Sequence, residues 1–192
     1  MTIEKMQEEI KKYLKLHKKL VNDFESRSFD IVFKISEAIV CVIKNNGNLY
    51  LCGNGGSAAD AQHVAGELIG RFTKNRIALP AVSLSTDTSV LTCIGNDFGF
   101  NSIFSRQVEA LVKEKDILWV FSTSGSSPNI LKAAKAAKRK KAKVIAFTGT
   151  NGSELERISD ICFSSGTRVT SVAQEIHQLA YHLICKLVED HF

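Results

Sequence analysis

Residues 116–128 read DILWVFSTSGSSP. Five consecutive apolar residues, Ile117–Phe121, carry no polar alternation, so this segment reads as a strand buried on both faces. A run rich in hydroxyls follows, Ser122–Ser127, and then Pro128. Ser as N-cap and Pro at the first helical position mark a helix start at 127–128. A doubly buried strand running straight into a helix is the unit of a parallel sheet with helices on both faces.

The same texture recurs on either side. Asn48–Cys52 (NLYLC) runs into GNGGS, Ala81–Leu84 follows Pro80, Lys143–Phe147 (KVIAF) runs into TGTNGS, and Asp160–Phe163 (DICF) is a last short run. The pattern predicts an α/β fold: a three-layer α/β/α sandwich with a five-stranded parallel sheet. Ligands in such sheets bind beyond the carboxyl ends of the strands, so the loops 53–57, 85–88, 122–127 and 148–153 are expected to gather at one edge. Before the first strand, helix-spaced apolar residues predict two helices, about 3–22 and 30–45, the second stopped by Asn46-Gly47. A final helix is predicted over about 168–189. The whole chain, 1–192, reads as one domain, its first 47 residues a helical region for packing and assembly.

Composition narrows the function. No apolar run approaches the roughly 20 residues that cross a bilayer, and Met1–Leu20 is rich in Lys and Glu with no apolar signal core. The expected compartment is the cytoplasm, with no membrane partner. The net charge of +5 is local: residues 132–143 (KAAKAAKRKKAK) hold seven basic residues, and the rest of the chain is slightly acidic. That run reads as the solvated face and C-terminal end of a helix, not as a nucleic-acid surface. The five cysteines, 41, 52, 93, 162 and 185, show no C-x-x-C spacing and sit mostly in apolar runs. They read as buried free thiols.

Four segments carry chemistry. Gly53-Asn54-Gly55-Gly56-Ser57 allows close backbone approach of a ligand, and free N–H groups of the next helix suit an anion. It also reads as a plain strand-to-helix turn capped by Ser57. It lacks the spacing of a nucleotide-binding loop. Ser122–Ser127 places hydroxyls and backbone donors at a helix N-terminus, as a phosphate dianion requires. His63 and Glu67, four apart on one helix face, suit a divalent metal, acid–base work, or only a surface hydrogen bond. Gln174, Gln178 and His182 form a polar stripe on the apolar final helix, facing water or a site. His177, taken alone, reads as a structural histidine.

GNGGSAADAQHVAGELIGRF (53–72), IGNDFGFNSIFSRQVEAL (94–111), STSGSSPNILKAAKAAK (122–138) and QEIHQLAYH (174–182), in this order and spacing, resemble the sugar isomerase (SIS) domain. More narrowly they resemble the phosphoheptose isomerase family, over nearly the whole chain. The resemblance implies a flavodoxin-like sheet, a homotetramer, and conversion of sedoheptulose 7-phosphate to D-glycero-D-manno-heptose 7-phosphate, an early step toward bacterial surface heptose. It implies one Zn²⁺ per subunit on His63, Glu67, Gln174 and His182. Substrate positions fall on Asn54, Gly55, Gly56, Ser57, Glu67, Asn96, Asp97, Ser122, Thr123, Ser124, Ser127 and Gln174. Glu67 and His182 match the family's acid–base pair. Ser171 stands where some members carry Asp.

The chemistry agrees with those residue types. Moving a carbonyl from C2 to C1 needs a proton taken from C1, an enediol stabilised, and a proton returned to C2, which a carboxylate and an imidazole can do without a nucleotide cofactor. An alternative is a non-catalytic SIS tetramer that binds the replication initiator; it would need neither Glu67 nor His182. A sugar-sensing regulator would need a helix-turn-helix module, and residues 1–47 offer none. Gln174 and His182 differ by about 12 Å in height on a helix. One chain is therefore expected to be unable to gather the whole site, so that a neighbour supplies one pair or the Asn96-Asp97 loop, with the N-terminal helices as the assembly surface.

Overall fold

The computed structural model describes residues 2–192. In chain order the elements are α1 (Ile3–Arg27), α2 (Phe29–Lys44), β1 (Leu49–Gly53), α3 (Gly56–Ile69), β2 (Ala81–Ser83) and α4 (Thr88–Phe98). A 3-10 turn, Phe100–Ser102, leads to α5 (Ser105–Leu111), β3 (Ile117–Ser122), α6 (Pro128–Arg139), β4 (Lys143–Thr148), α7 (Glu154–Ile158), β5 (Ile161–Ser164) and α8 (Thr170–Glu189). The sheet is wholly parallel, in the order β2-β1-β3-β4-β5.

Alternate side chains of the central strand enter two separate cores. Trp119 and Phe121 join Ile39, Val64 and Tyr181 beneath α2, α3 and α8. Leu118 and Val120 join Phe104, Val108, Ile130 and Ala134 beneath α5 and α6. Burial on both faces is why β3 reads as an unbroken apolar run. Strand order reverses direction between β1 and β3, and the register aligns Gly53 with Phe121 and Ser122 with Thr148. The loops after β1 and β3 therefore flank one crevice at the carboxyl edge, where such sheets bind ligands.

The basic run is the solvated side of α6. Lys135 pairs with Glu154, Lys138 with Asp160 and Arg139 with Glu109, while Ala133, Ala134, Ala136 and Ala137 face the core. No helix is long and apolar enough to cross a membrane among the described residues.

Three expectations need correction. Cys41 and Cys93 are exposed, whereas Cys52 and Cys185 are buried; at 100° per residue an apolar run such as IVCVI must turn one member outward. Burial pushes the Cys185 thiol up to about 12. The two N-terminal helices do not form one joint surface. Val32, Ile35 and Ile39 of α2 are buried in the core of their own chain, while α1 buries only Leu20 and Phe24 and meets α8 at mid-helix through Tyr13, which donates to Ser171 and Glu175. Ile3, Met6, Ile10 and Leu14 stand exposed along α1. The IGNDFGF segment is not a loop: Asn96 and Asp97 occupy the last turn of α4.

Candidate active site

Ser127 ends the β3 loop as the N-cap of α6, yet its side chain makes no capping hydrogen bond. Its Oγ turns instead toward Ser122 Oγ, 3.3 Å away, and Ser122 Oγ lies 3.5 Å from Ser124 Oγ. Of the helix N–H groups that a cap would satisfy, Ile130 N donates to Asn129 Oδ1 at 3.0 Å and Asn129 N is left for a ligand, where an anion suits it and the adjacent hydroxyls. Facing them is the β1 loop. Gly55 takes φ +55°, the left-handed turn that lets α3 begin at Gly56. Ser57 is thus inside the helix and is not its cap. Asn54 and Asn129 exchange reciprocal amide hydrogen bonds of 2.9 and 2.8 Å, which lash the two loops together. The Asn54 amide, expected on substrate, is committed to this brace. Asn129, nearly fully buried, carries no mark in the sequence because its partner lies 75 residues away.

Together Asn54, Gly55, Gly56, Ser57, Ser122, Thr123, Ser127, Thr170 and Gln174 line a pocket of about 290 Å³. Ser124 does not line this pocket; it lines a neighbouring cleft with Thr150 and Arg168, which shares Thr123 and Thr170 with it. Gly56 leaves the space that the Gln174 side chain of α8 occupies. A Cβ there would stand 2.5 Å from the Gln174 amide. Ser171, at the position of the family's occasional Asp, faces away: Tyr13 of α1 donates to it at 3.2 Å and to Glu175 at 3.0 Å. Thr170 lines the pocket beside it.

Farther along α8, three side chains meet. His63 Nε2 lies 2.9 Å from Glu67 Oε1 and 3.5 Å from His182 Nε2. One donor atom from each of the three falls within 4.8 Å of the others. His63 Nδ1 is 2.9 Å from the Tyr181 hydroxyl, a partner that serves either tautomer by donating or accepting. Burial, and then the adjacent His63, lowers the His182 pKa against the pull of Glu67. That favours a neutral imidazole with a free lone pair. Asp60, one turn before His63, is pushed up to about 6 by burial. Phe72 closes the far side, its ring 5.5 Å from that of His182.

This cluster is built by one chain, so the expected need for a neighbour to supply Glu67 or His182 does not hold. The 12 Å height difference on α8 stands, but it separates two places: Gln174 faces the hydroxyl pocket and His182 faces α3. Asn96 and Asp97 do not line the pocket. They are exposed on α4, where the Asn96 amide donates to Asp97 at 2.8 Å. His177 is structural, as read: fully buried, its Nε2 lies 2.9 Å from the Thr148 carbonyl.

A family model described as the SIS domain matches residues 12–149. The chain is 44% identical over 190 residues to the phosphoheptose isomerase of a Nitratiruptor species, covering 97% of this chain and 100% of that one. The chain belongs to the phosphoheptose isomerase family. A phosphoheptose isomerase structure from Francisella tularensis superposes with a TM-score of 0.93 at 34% identity, covering 99% of this chain and 100% of that chain. The Neisseria gonorrhoeae phosphoheptose isomerase gives 0.91 at 37% identity, covering 96% of this chain and 99% of its own. The SIS match ends before α8, but the phosphoheptose isomerase matches run through it, so the span that holds Gln174 and His182 is shared with the family.

Proposed function

We propose that this protein isomerises sedoheptulose 7-phosphate to D-glycero-D-manno-heptose 7-phosphate, the reaction that its family's name describes, as a step toward surface heptose. The observation that carries the reading is the pairing, along α8 of one chain, of a hydroxyl-lined pocket at a helix N-terminus with the His63–Glu67–His182 cluster. Gln174 and His182, about 12 Å apart in height, mark two places on α8 that an extended seven-carbon phosphate would span. The phosphate sits on Ser122, Thr123, Ser124 and Ser127 and the open N–H of Asn129 at the start of α6, and Gly55, Gly56 and Ser57 approach it from β1. The C1–C2 end then reaches Glu67 and His182.

Glu67 and His182 take and return the protons at C1 and C2, on either side of an enediol. A neutral His182 and the Glu67 carboxylate can each accept a proton through a lone pair that is not on a metal, so whichever one acts as base would have to leave a bound metal ion to do so. The donor set fits zinc: Zn–N and Zn–O bonds of about 2.0–2.2 Å put tetrahedral ligand atoms roughly 3.3–3.5 Å apart, close to the 3.5 Å between the two imidazole nitrogens. His63, Glu67 and His182 would hold the ion; Gln174, expected as a fourth donor, faces the hydroxyl pocket instead, and the fourth position is left to substrate or water. When bound, zinc supplies Lewis-acid polarisation of the substrate carbonyl. Tyr181, on the outer nitrogen of His63, fixes that ring's orientation.

Asn96 and Asp97 reach the sugar only from a second copy. The exposed stripe Ile3, Met6, Ile10 and Leu14 on α1 supports a homotetramer in which neighbouring chains cover it. The cytoplasm is the proposed compartment. Sedimentation tests the assembly; a monomer would remove the role given to Asn96 and Asp97.

A coupled assay with sedoheptulose 7-phosphate tests the reaction itself; no conversion by zinc-loaded protein would sink it. Ser124→Ala is expected to raise KM roughly 2- to 10-fold, for a loss of about 0.5–1.5 kcal/mol, with kcat little changed. An unaltered KM would take Ser124 off the phosphate. Exhaustive chelation is expected to abolish turnover, and added zinc to restore it. Full activity in protein shown metal-free by elemental analysis would leave the isomerase reading standing without its metal.

A further inference from the structure

The segment between α3 and β2 is fastened by two buried charges that the proposed chemistry does not use. Glu189, in the last turn of α8, has a fully buried side chain. Its Oε1 accepts from Phe72 N at 2.9 Å, and its Oε2 accepts from Thr73 N, Thr73 Oγ1 and Lys74 N at 2.9, 2.6 and 2.9 Å. Burial alone would raise this carboxyl; the bonds from Thr73, Lys74 and Phe72 instead hold it down to about 2. Arg76, its side chain 2% exposed, lies with Nε 3.7 Å from Glu189 Oε1. Its other nitrogens donate to the carbonyls of Glu67 at 2.7 Å, Leu68 at 2.8 Å and Ile77 at 2.8 Å. Two of the last-turn carbonyls of α3, those of Glu67 and Leu68, are thereby satisfied.

Such a pair is a poor device for stability alone, because burying two charges costs about as much as their attraction returns. What this one does is fix geometry. Glu189 lies seven residues after His182, hence on nearly the same face of α8 and about 10 Å along it. Through the Phe72 N–H it holds the residue whose ring packs against the His182 imidazole. Through Arg76 the same assembly grips the backbone of Glu67 itself.

We infer that the Arg76–Glu189 pair is a positioning unit for the His63–Glu67–His182 cluster, acting on His182 through Phe72 and on Glu67 through its carbonyl. The inference rests on the reading of that cluster as the reacting and metal-holding site. Two measurements test it. In metal-free protein, the ring NMR signals of His182 are expected to shift or double in Glu189→Gln and in Arg76→Lys, although neither residue touches His182. Unmoved signals in the variant that folds overturn the unit. Zinc affinity, read by competition with a chromophoric chelator, is expected to fall about 10–100-fold in Glu189→Gln and Phe72→Leu and to be kept in Phe72→Tyr, which retains the ring. In zinc-saturated enzyme kcat should fall while KM stays within twofold, since the phosphate end is untouched. Affinity and kcat both within twofold of the parent, with only the melting temperature lowered, would reduce the pair to a fold-stabilising role. Should Glu189→Gln not fold, Arg76→Lys and the two Phe72 variants decide the matter. A parent that binds no zinc overturns the metal reading instead, and the NMR comparison still decides the positioning unit.

Discussion

Glu67→Gln is expected to lower kcat for sedoheptulose 7-phosphate by about 10²–10⁴-fold, the range for loss of a positioned acid–base group. The amide keeps the size of the carboxyl and can still hydrogen-bond His63, so folding should be little affected. It cannot accept a proton from carbon, and it is a weaker metal donor. His182→Ala should lose as much, because the cluster gives no second imidazole the same position. Mixing the two inactive variants after dissociation and reassembly makes the geometry testable. His63, Glu67 and His182 meet within one chain, so no mixed assembly contains an intact cluster and no activity should return. Recovery on mixing would mean that a neighbour contributes one of the pair. A Glu67→Gln enzyme retaining more than a tenth of kcat would remove Glu67 from the proton transfer.

The second large effect is on stability against pH. His177 is fully buried among Phe121, Phe147 and Phe163. Burial lowers its pKa from 6.5 to about 4, against the opposing bond to the Thr148 carbonyl. The folded state therefore refuses a proton that the unfolded chain accepts. This contribution to stability is complete above pH 6.5 and is lost as pH falls through about 4. At 1.36 kcal/mol per pKa unit the loss is on the order of 3 kcal/mol. Asp60 works with the opposite sign in nearly the same window: its folded pKa of about 6 lies above the unfolded value of 3.8, so its folded form gains a proton first as pH falls. Glu189, held near 2, gives stability that begins to be lost below about pH 4.5, so it overlaps only the acid end of the window and is common to parent and variant. The test is accordingly a difference. Urea unfolding of the parent and of His177→Gln at about pH 7.5 and 4.0 should show the parent losing about 3 kcal/mol more than the variant between the two. Equal losses would mean that His177 is protonated inside the fold.

Local chemistry announces the hydroxyl loop and the His63/Glu67 pair, because each lies within six consecutive residues or one helical turn. The braces around them leave no such mark. The Asn54–Asn129 exchange, the Tyr181 bond to His63 and the Glu189 cradle of residues 72–74 join positions 75 to 118 residues apart. Nothing at either end is unusual for its own segment. Arg76 and Glu189 in particular look like two more surface charges until the fold buries them. The helix of Asn96 and Asp97 is hidden for another reason: the glycines at 95 and 99 give IGNDFGF the look of a loop, while Asp87 caps the helix eight residues earlier by accepting from Val90 N at 2.9 Å.

By itself the sequence determined the sheet. Unbroken apolar runs such as ILWVF can be satisfied only by burial on both faces, and the polar, glycine-bearing loops after them fix where the helices start. It also announced the residue types of the proposed site, the hydroxyls of 122–127 and the His63/Glu67 pair, because those groups suit phosphate binding and proton transfer. Only the tertiary structure decided which residues share a space. The packing of α8 against α3 brings His182 to Glu67 and leaves Gln174 with the hydroxyl pocket. It also showed that one chain suffices for the cluster, and that α2 belongs to the core while the first half of α1 does not. Periodicity reports which face of a helix is apolar; what covers that face depends on the closure of the whole chain, and no local pattern records it.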